Sequence, residues 1–244
     1  PSENIKILFS TLEDDRTMEV FKARKCPELK LAPLDKNEQT KLVKNYLDFY
    51  GKRLNDEQIE RIVTDTKCEN TLVLKTLLDE LINFGIHEML DEKIKYYLNS
   101  DSIDDFYQSL LASYESDYKD CGDDFVKNIL SLIAVSKNGL TENEILTIAE
   151  INKKIHWSSL YCSFDRMFCI KNGRISFSHI YIREAIEKRY NLNVPDCKYR
   201  RKIISYIAPL FIGEEITWDA FSEIVYQFYR LETDYGTQKL YDLI

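Results

Sequence analysis

The stretch Phe168-Cys169-Ile170-Lys171-Asn172-Gly173-Arg174-Ile175-Ser176-Phe177 decides the fold. Asn172-Gly173 is the two-residue turn that tolerates positive φ at both positions, and short runs rich in strand-forming residues flank it. The ten residues therefore predict a β-hairpin in a chain that otherwise reads as helix. Upstream, Phe125–Val135 has the spacing of a buried helix. Thr141, with Glu144 at the third helical position, forms a capping box that opens a second helix. Trp157–Met167 reads as a third helix, and a fourth runs from about His179 to Tyr190.

Three helices, a hairpin and a helix over 123–190 make a winged-helix module. On its N-terminal side, Cys121-Gly122-Asp123 marks a boundary, and Asp101–Tyr118 forms a connecting helix within 99–122. Residues 35–98 read as a helical subdomain. Asp35 with Glu38 is a capping box, Leu42, Val43, Tyr46, Leu47 and Tyr50 share a face, and Gly51 stops the helix. Asn55 caps the next helix, Thr71–Asn83 a third ending at Gly85, and His87–Leu98 a fourth. Beyond the module, 191–244 carries amphipathic helices at Tyr199–Phe211 and Trp218–Leu231 and a third beginning near Thr237. These read as the start of TPR-like helical repeats.

Residues 1–34 differ. Ile5–Thr11 is apolar without clean alternation, as in a buried strand of a parallel sheet. Such a strand needs neighbours, so it is expected to be the remnant of an α/β core whose other strands lie upstream. Glu13–Lys25 reads as a short helix and Pro27–Leu31 as an extended segment. The predicted class is mainly α, a helical subdomain plus a winged helix followed by helical repeats, with one remnant β-strand at the N-terminus.

Composition agrees. Only 7 Gly and 5 Pro interrupt 244 residues, and 44% hydrophobic with 30% charged residues is ordinary for a globular chain. Net charge is −8, and residues 1–120 account for it with 17 Lys and Arg against 25 Asp and Glu. The winged region is nearly neutral, with 10 basic against 8 acidic side chains, so nothing supplies the basic surplus that a phosphate backbone requires. Apolar runs such as Ile129–Val135 are far shorter than the roughly 20 residues that span a bilayer. The six cysteines are scattered and form no CxxC pair, which predicts buried free thiols in a reducing, cytoplasmic setting and no metal site.

The order of elements resembles the latter half of STAND signalling ATPases, in particular NACHT-type modules of the nephrocystin and telomerase-associated kind. Ile7-Leu8-Phe9-Ser10-Thr11-Leu12 is similar to the family's sensor strand. Pro33-Leu34-Asp35 through Tyr46-Leu47-Asp48-Phe49-Tyr50-Gly51-Lys52, then Asn70-Thr71-Leu72-Val73-Leu74-Lys75-Thr76-Leu77-Leu78-Asp79-Glu80-Leu81, resemble its helical lid. Phe177-Ser178-His179 and Arg183-Glu184-Ala185-Ile186 resemble the end of its winged helix. The resemblance spans residues 5–190 and rests on the whole order of elements more than on any one motif. It implies that Ser10 and Thr11 sense the γ-phosphate or attacking water. It implies that Asn70 and Thr71 lie at the adenine, and that His179 touches the ADP β-phosphate in the inactive state. Thr71 stands where the family usually has proline, the rigid residue that helps close the lid.

The residues add their own limits. A phosphate-cradling GxxxxGK[ST] is missing: Gly51-Lys52 is followed by Arg53 and preceded five residues earlier by Tyr46. The chain by itself is therefore not expected to catalyse, and ATP or ADP is expected only in a longer parent carrying the upstream core. His179 also reads as a residue satisfied by its own helix, and Ser10 or Thr11 as a strand-end cap. His87 and His156 read as surface or capping residues, and Arg183 and Arg189 as solvated helix charges, with pairing across domains the alternative. Asp101, Asp104 and Asp105 suit a helix start.

Three functions compete: the regulatory arm of an ATPase switch that clamps nucleotide and controls oligomerisation; a helical protein-interaction scaffold with degenerate nucleotide machinery; and a winged-helix DNA-binding regulator. The last is disfavoured, because three basic and four acidic residues lie between Thr141 and Phe168. The expected partners are the upstream core of the same polypeptide and proteins bound through the repeats, without nucleic acid or membrane.

Overall fold

A computed structural model describes residues 6–11, 16–212 and 217–231. Two compact units divide the chain, Pro1–Pro33 and Leu34–Ile244. In the first, α1 spans Arg16–Ala23, and the Phe21 ring lies 5.0 Å from that of Phe9. The expected N-terminal strand is not formed over residues 6–11, which join no ladder and leave Leu8 96% exposed. A strand's N–H and C=O groups need a neighbouring strand, and the sheet described below lies wholly in the other unit. Ile5 lies outside the described residues.

The second unit begins with α2 (Lys36–Phe49) and α3 (Asp56–Thr64), both opened by complete capping boxes, Asp35 with Glu38 and Asn55 with Gln58. A 3₁₀ turn at Thr66–Glu69 leads into α4 (Thr71–Asn83), whose Val73, Leu74, Leu77, Leu78 and Leu81 are all but fully buried. Apolar residues on several sides make α4 a central helix, packed by α2, α3's following turn and α5 (Leu90–Leu98). The helix expected from His87 starts instead as a 3₁₀ turn, His87–Met89. α6 (Ile103–Asp117) is capped by Ser102 and carries Asp104 and Asp105 in its first turn.

The winged segment forms as the hairpin predicts, with one addition. α7 (Phe125–Val135) is buried along most of its length; then come β1 (Leu140–Thr141), α8 (Glu142–Ile148), α9 (Lys154–Phe164), β2 (Phe168–Lys171), β3 (Arg174–Phe177) and α10 (Ile180–Arg189). The strands lie in the order β1-β3-β2, all antiparallel, with Ile175 opposite both Leu140 and Ile170. Asn172 and Gly173 take φ of 52° and 75°, as the turn requires. β1 is too short to show any periodicity. Its entry depends on Gly139, at φ +83°, where a Cβ would stand 2.4 Å from the Ile175 carbonyl oxygen.

α9 ends earlier than expected, and Asp165–Met167 continue it as a 3₁₀ turn. The helix expected over Tyr199–Phe211 likewise divides into α11 (Lys198–Ile207) and a 3₁₀ turn, Ala208–Ile212, where Pro209 lacks the N–H that would extend an α-helix. α12 (Trp218–Leu231) packs on α11. The helix expected near Thr237 lies outside the described residues. One hydrophobic core runs from Val43 to Leu231 through all of these elements.

Candidate functional site

Asp79 and Glu80 sit side by side in the leucine-rich centre of α4, and both are buried. Successive helical residues point about 100° apart, so the two carboxylates reach different neighbours. Asp79 accepts from the Tyr46 hydroxyl of α2 at 2.6 Å, from Lys75 at 2.8 Å and from Arg166 of the turn after α9 at 2.7 Å. The Arg166 guanidinium also lies 4.3 Å above the Tyr50 ring, a cation–π contact. Glu80 accepts from Tyr97 of α5 at 3.0 Å and from Tyr114 of α6 at 2.7 Å.

Burial pushes the Glu80 carboxyl above the usual range, opposed by the hydroxyls of Tyr114 and Tyr97. The Tyr114 hydroxyl has one proton but two acceptors, Glu80 Oε1 and, at 2.9 Å, the Ser163 carbonyl of α9. Tyr118 reaches the hydroxyls of Ser159 and Ser163, and Asn83 donates to the Ser163 carbonyl. One face of α9 is thus held by α4 and by residues of α6 and the turn after it. A second contact joins α6 to α10. Arg189 grips Glu115 through Nε and Nη2 at 2.8 and 2.5 Å, and Tyr190 adds a hydrogen bond at 2.7 Å. The Arg189 hydrogen bond holds the Glu115 carboxyl below its usual range.

The third joint closes on the end of a helix. The last carbonyls of α7 have no partner within the helix. The Val135 carbonyl accepts from Gln227 of α12 at 2.8 Å and from Arg200 of α11 at 3.3 Å, and the Ser136 carbonyl accepts from Arg183 at 3.3 Å. Glu223 of α12 accepts the Lys137 backbone N–H and, at 2.6 Å, the Gln227 amide, whose oxygen accepts from Arg200 at 2.9 Å. Arg200, Glu223 and Gln227 are all buried, and burial raises the Glu223 carboxyl.

The residues expected to sense nucleotide lie on several segments of the chain. Ser10 and Thr11 lie in the first unit on no strand. Asn70 caps α4, its side chain accepting the N–H groups of Leu72 and Val73, and Thr71 is the first residue of that helix. His179 caps α10, with Nδ1 accepting the Tyr181 N–H at 3.3 Å. Asn70 and His179 therefore cap different helices. Arg183 and Arg189, read as solvated charges, instead bond across elements, because the α7 terminus and Glu115 face them. Of the six thiols, Cys68 and Cys197 are buried, while Cys26, Cys162 and Cys169 are exposed, so the expectation of buried thiols holds for two. Burial pushes the Cys68 thiol up to about 12.

Sequence reading missed Asp79, Glu80, Arg166, Arg200, Glu223 and Gln227. The available signal was an acidic pair inside a run of leucines, and an arginine and a glutamate on the core faces of α11 and α12. Among the described residues no His, Cys, Asp or Glu cluster converges as a metal site would, and no helix is long and apolar enough to cross a membrane.

These elements define a mainly helical domain with an embedded winged sheet, its parts joined by buried polar side chains. The chain belongs to the family described as Nephrocystin 3, helical domain, which matches residues 45–190. It is 30% identical over 190 residues to a TPR repeat-containing protein of Dictyostelium discoideum, covering 77% of this chain and 11% of that protein. It is 24% identical over 229 residues to human Nephrocystin-3, covering 89% of this chain and 17% of the relative. Nephrocystin-3 of Xenopus laevis is 23% identical over 214 residues, covering 83% of this chain and 16% of the relative. The chain thus spans between a tenth and a fifth of the length of these relatives. No solved structure matches it.

Proposed function

We propose that this domain is a protein-interaction scaffold that holds the flanking parts of a longer polypeptide in fixed relation, and that it performs no chemistry of its own. The observation that carries this reading is the consumption of its buried charges. Asp79, Glu80, Arg200 and Glu223 are each bound by side chains or backbone of other elements, which ties α2, α4, α5 and α6, the winged segment and α11–α12 together. Acting as a scaffold also suits a family defined by a helical domain and a relative named for its TPR repeats. In this reading partners are proteins met through helical surfaces, and the setting is a reducing cytoplasm that keeps the exposed thiols free.

The test uses the longer protein. Cross-linking mass spectrometry should find one fixed set of distances between the helical and winged segments, unchanged by ATP or ADP, together with cross-links to a protein partner. Nucleotide-dependent distances would sink the scaffold reading in favour of a second one.

That second reading is the regulatory arm of an ATPase switch, with the nucleotide held by an upstream core and with oligomerisation on opening. It is favoured by His179, which stands at the N-terminus of α10 on a half-exposed side chain, a position that suits an anion. Limited proteolysis of the longer protein with ATP and with ADP separates the two. Different cleavage patterns, abolished in His179→Ala, support the switch, whereas identical patterns with no bound nucleotide remove it.

A further inference from the structure

The same tripeptide occurs twice in the chain, as Lys137-Asn138-Gly139 and as Lys171-Asn172-Gly173. An asparagine followed by glycine is open to attack by the next backbone nitrogen on its own side-chain amide, because glycine has no side chain to hinder the approach. Both asparagines are exposed, so local sequence and solvent access treat them alike. Their backbones differ. The hairpin ladder closes at Lys171 and Arg174, so Asn172 and Gly173 project beyond it, at φ 52° and 75°. Among the described residues nothing lies within 4 Å of where a Cβ on Gly173 would stand. Gly139 is pinned instead. The Ile175 carbonyl oxygen is 2.4 Å from its Cβ position, and its own carbonyl accepts from Arg174 at 3.0 Å. Two residues earlier, the Lys137 N–H is held by Glu223 at 3.0 Å.

We propose that Asn172 is a site of spontaneous deamidation and that the fold shields Asn138 from the same reaction. The Gly173 amide nitrogen attacks Cγ of Asn172, forming an N–Cγ bond and losing its proton to water or hydroxide. The side-chain nitrogen takes up a proton and leaves as ammonia, which closes a succinimide ring. Water then opens the ring. Cleavage at Cγ gives aspartate, and cleavage at the Asn172 backbone carbonyl carbon gives isoaspartate; no electrons are exchanged and water is the co-reactant. Ring closure needs rotation about the asparagine Cα–C bond, which swings the next nitrogen toward the side chain. At Asn172 that rotation moves an exposed turn. At Asn138 it drives Gly139 against the Ile175 carbonyl and breaks the bond from Arg174. Isoaspartate adds a carbon to the backbone of a two-residue turn, so Lys171 and Arg174 no longer meet in register. Arg174 also bonds Glu144 and the Gly139 carbonyl, so the loosening reaches β1 and the start of α8.

Ageing the whole chain at mildly alkaline pH, followed by peptide mass spectrometry, tests this. Asn172 should convert at least about ten-fold faster than Asn138, because the restraints on Gly139 must open before its ring can close. In denaturant the two rates should become similar, since the tripeptides are the same. Isoaspartate at 172 should take up label from a carboxyl methyltransferase specific for that residue. Asn172→Gly, which keeps a turn-compatible pair, should remove most of the label. The aged chain should exchange the amides of β3 faster while those of α4 and α12 keep their protection. Equal rates at the two sites in the folded chain, or faster conversion at Asn138, overturn the proposal. So does an Asn172 that stays intact while the denatured chain converts, or a conversion that leaves exchange in β3 unchanged.

Discussion

The joint between α4 and the winged segment and the joint between that segment and α11–α12 solve one packing problem in different ways. At the first, side chains meet mostly other side chains, with the Ser163 carbonyl the backbone exception. Asp79 is held by Tyr46, Lys75 and Arg166, and Glu80 by Tyr97 and Tyr114. At the second, side chains meet the C-terminal end of a helix, and Arg200, Gln227 and Glu223 complete the hydrogen bonding of α7. The first distributes its polar load over many partners. The second concentrates it on one fully buried cation, Arg200, so the two should respond differently to single substitutions.

Arg200→Ala should have the largest effect. It removes a fully buried guanidinium and leaves the Gln227 oxygen without a donor, which costs about 3 kcal/mol. Chemical denaturation should register the loss, and hydrogen exchange should locate it in α11 and α12. A loss below about 1 kcal/mol would erase the distinction between the joints. Arg166→Ala should cost less, about 2 kcal/mol, because Lys75 and Tyr46 still hold Asp79. If it proves the costlier of the two, the first joint is the concentrated one.

The pH dependence sharpens the comparison further. Glu80 is raised above the ordinary value of 4.5, so the stability that its protonation provides is full below that value and is lost as pH rises through the higher folded value. Glu115 is lowered, so its contribution is present above 4.5 and is lost as pH falls through its folded value. Wild type should therefore gain on Glu80→Gln in unfolding free energy as pH falls from 7 toward 5. The advantage of wild type over Glu115→Gln should shrink only below about pH 4.5. Parallel pH profiles for wild type and Glu80→Gln would show that Glu80 is charged in the fold. The smallest effect belongs to His179→Ala, about 0.5 kcal/mol from the lost cap of α10, read as faster exchange in that helix's first turn. The cap bond goes to the N–H of Tyr181 within the same helix, so the amides of α4, α11 and α12 should be unchanged.

Much of the fold was legible because its signals are local. Asn172-Gly173 specified the hairpin, and the Asp35–Glu38 and Thr141–Glu144 pairs specified helix starts within four residues of themselves. Little of the candidate site was legible. Asp79 and Arg166 lie 87 residues apart, and Lys137 and Glu223 lie 86 apart. The N-terminal strand failed for a related reason: an apolar run states a preference for burial, but a strand exists only when a neighbour completes its ladder.

The sequence by itself determined where helices begin, where the chain turns back as a hairpin, and which faces are apolar, because caps, turn dihedrals and side-chain periodicity act within a few residues. Only the tertiary structure decided that Asp79, Glu80, Arg200 and Glu223 are buried and which groups answer them. A charged residue on an otherwise apolar helix is tolerated only if a partner arrives from elsewhere in the chain, and that arrival is settled by how whole helices pack.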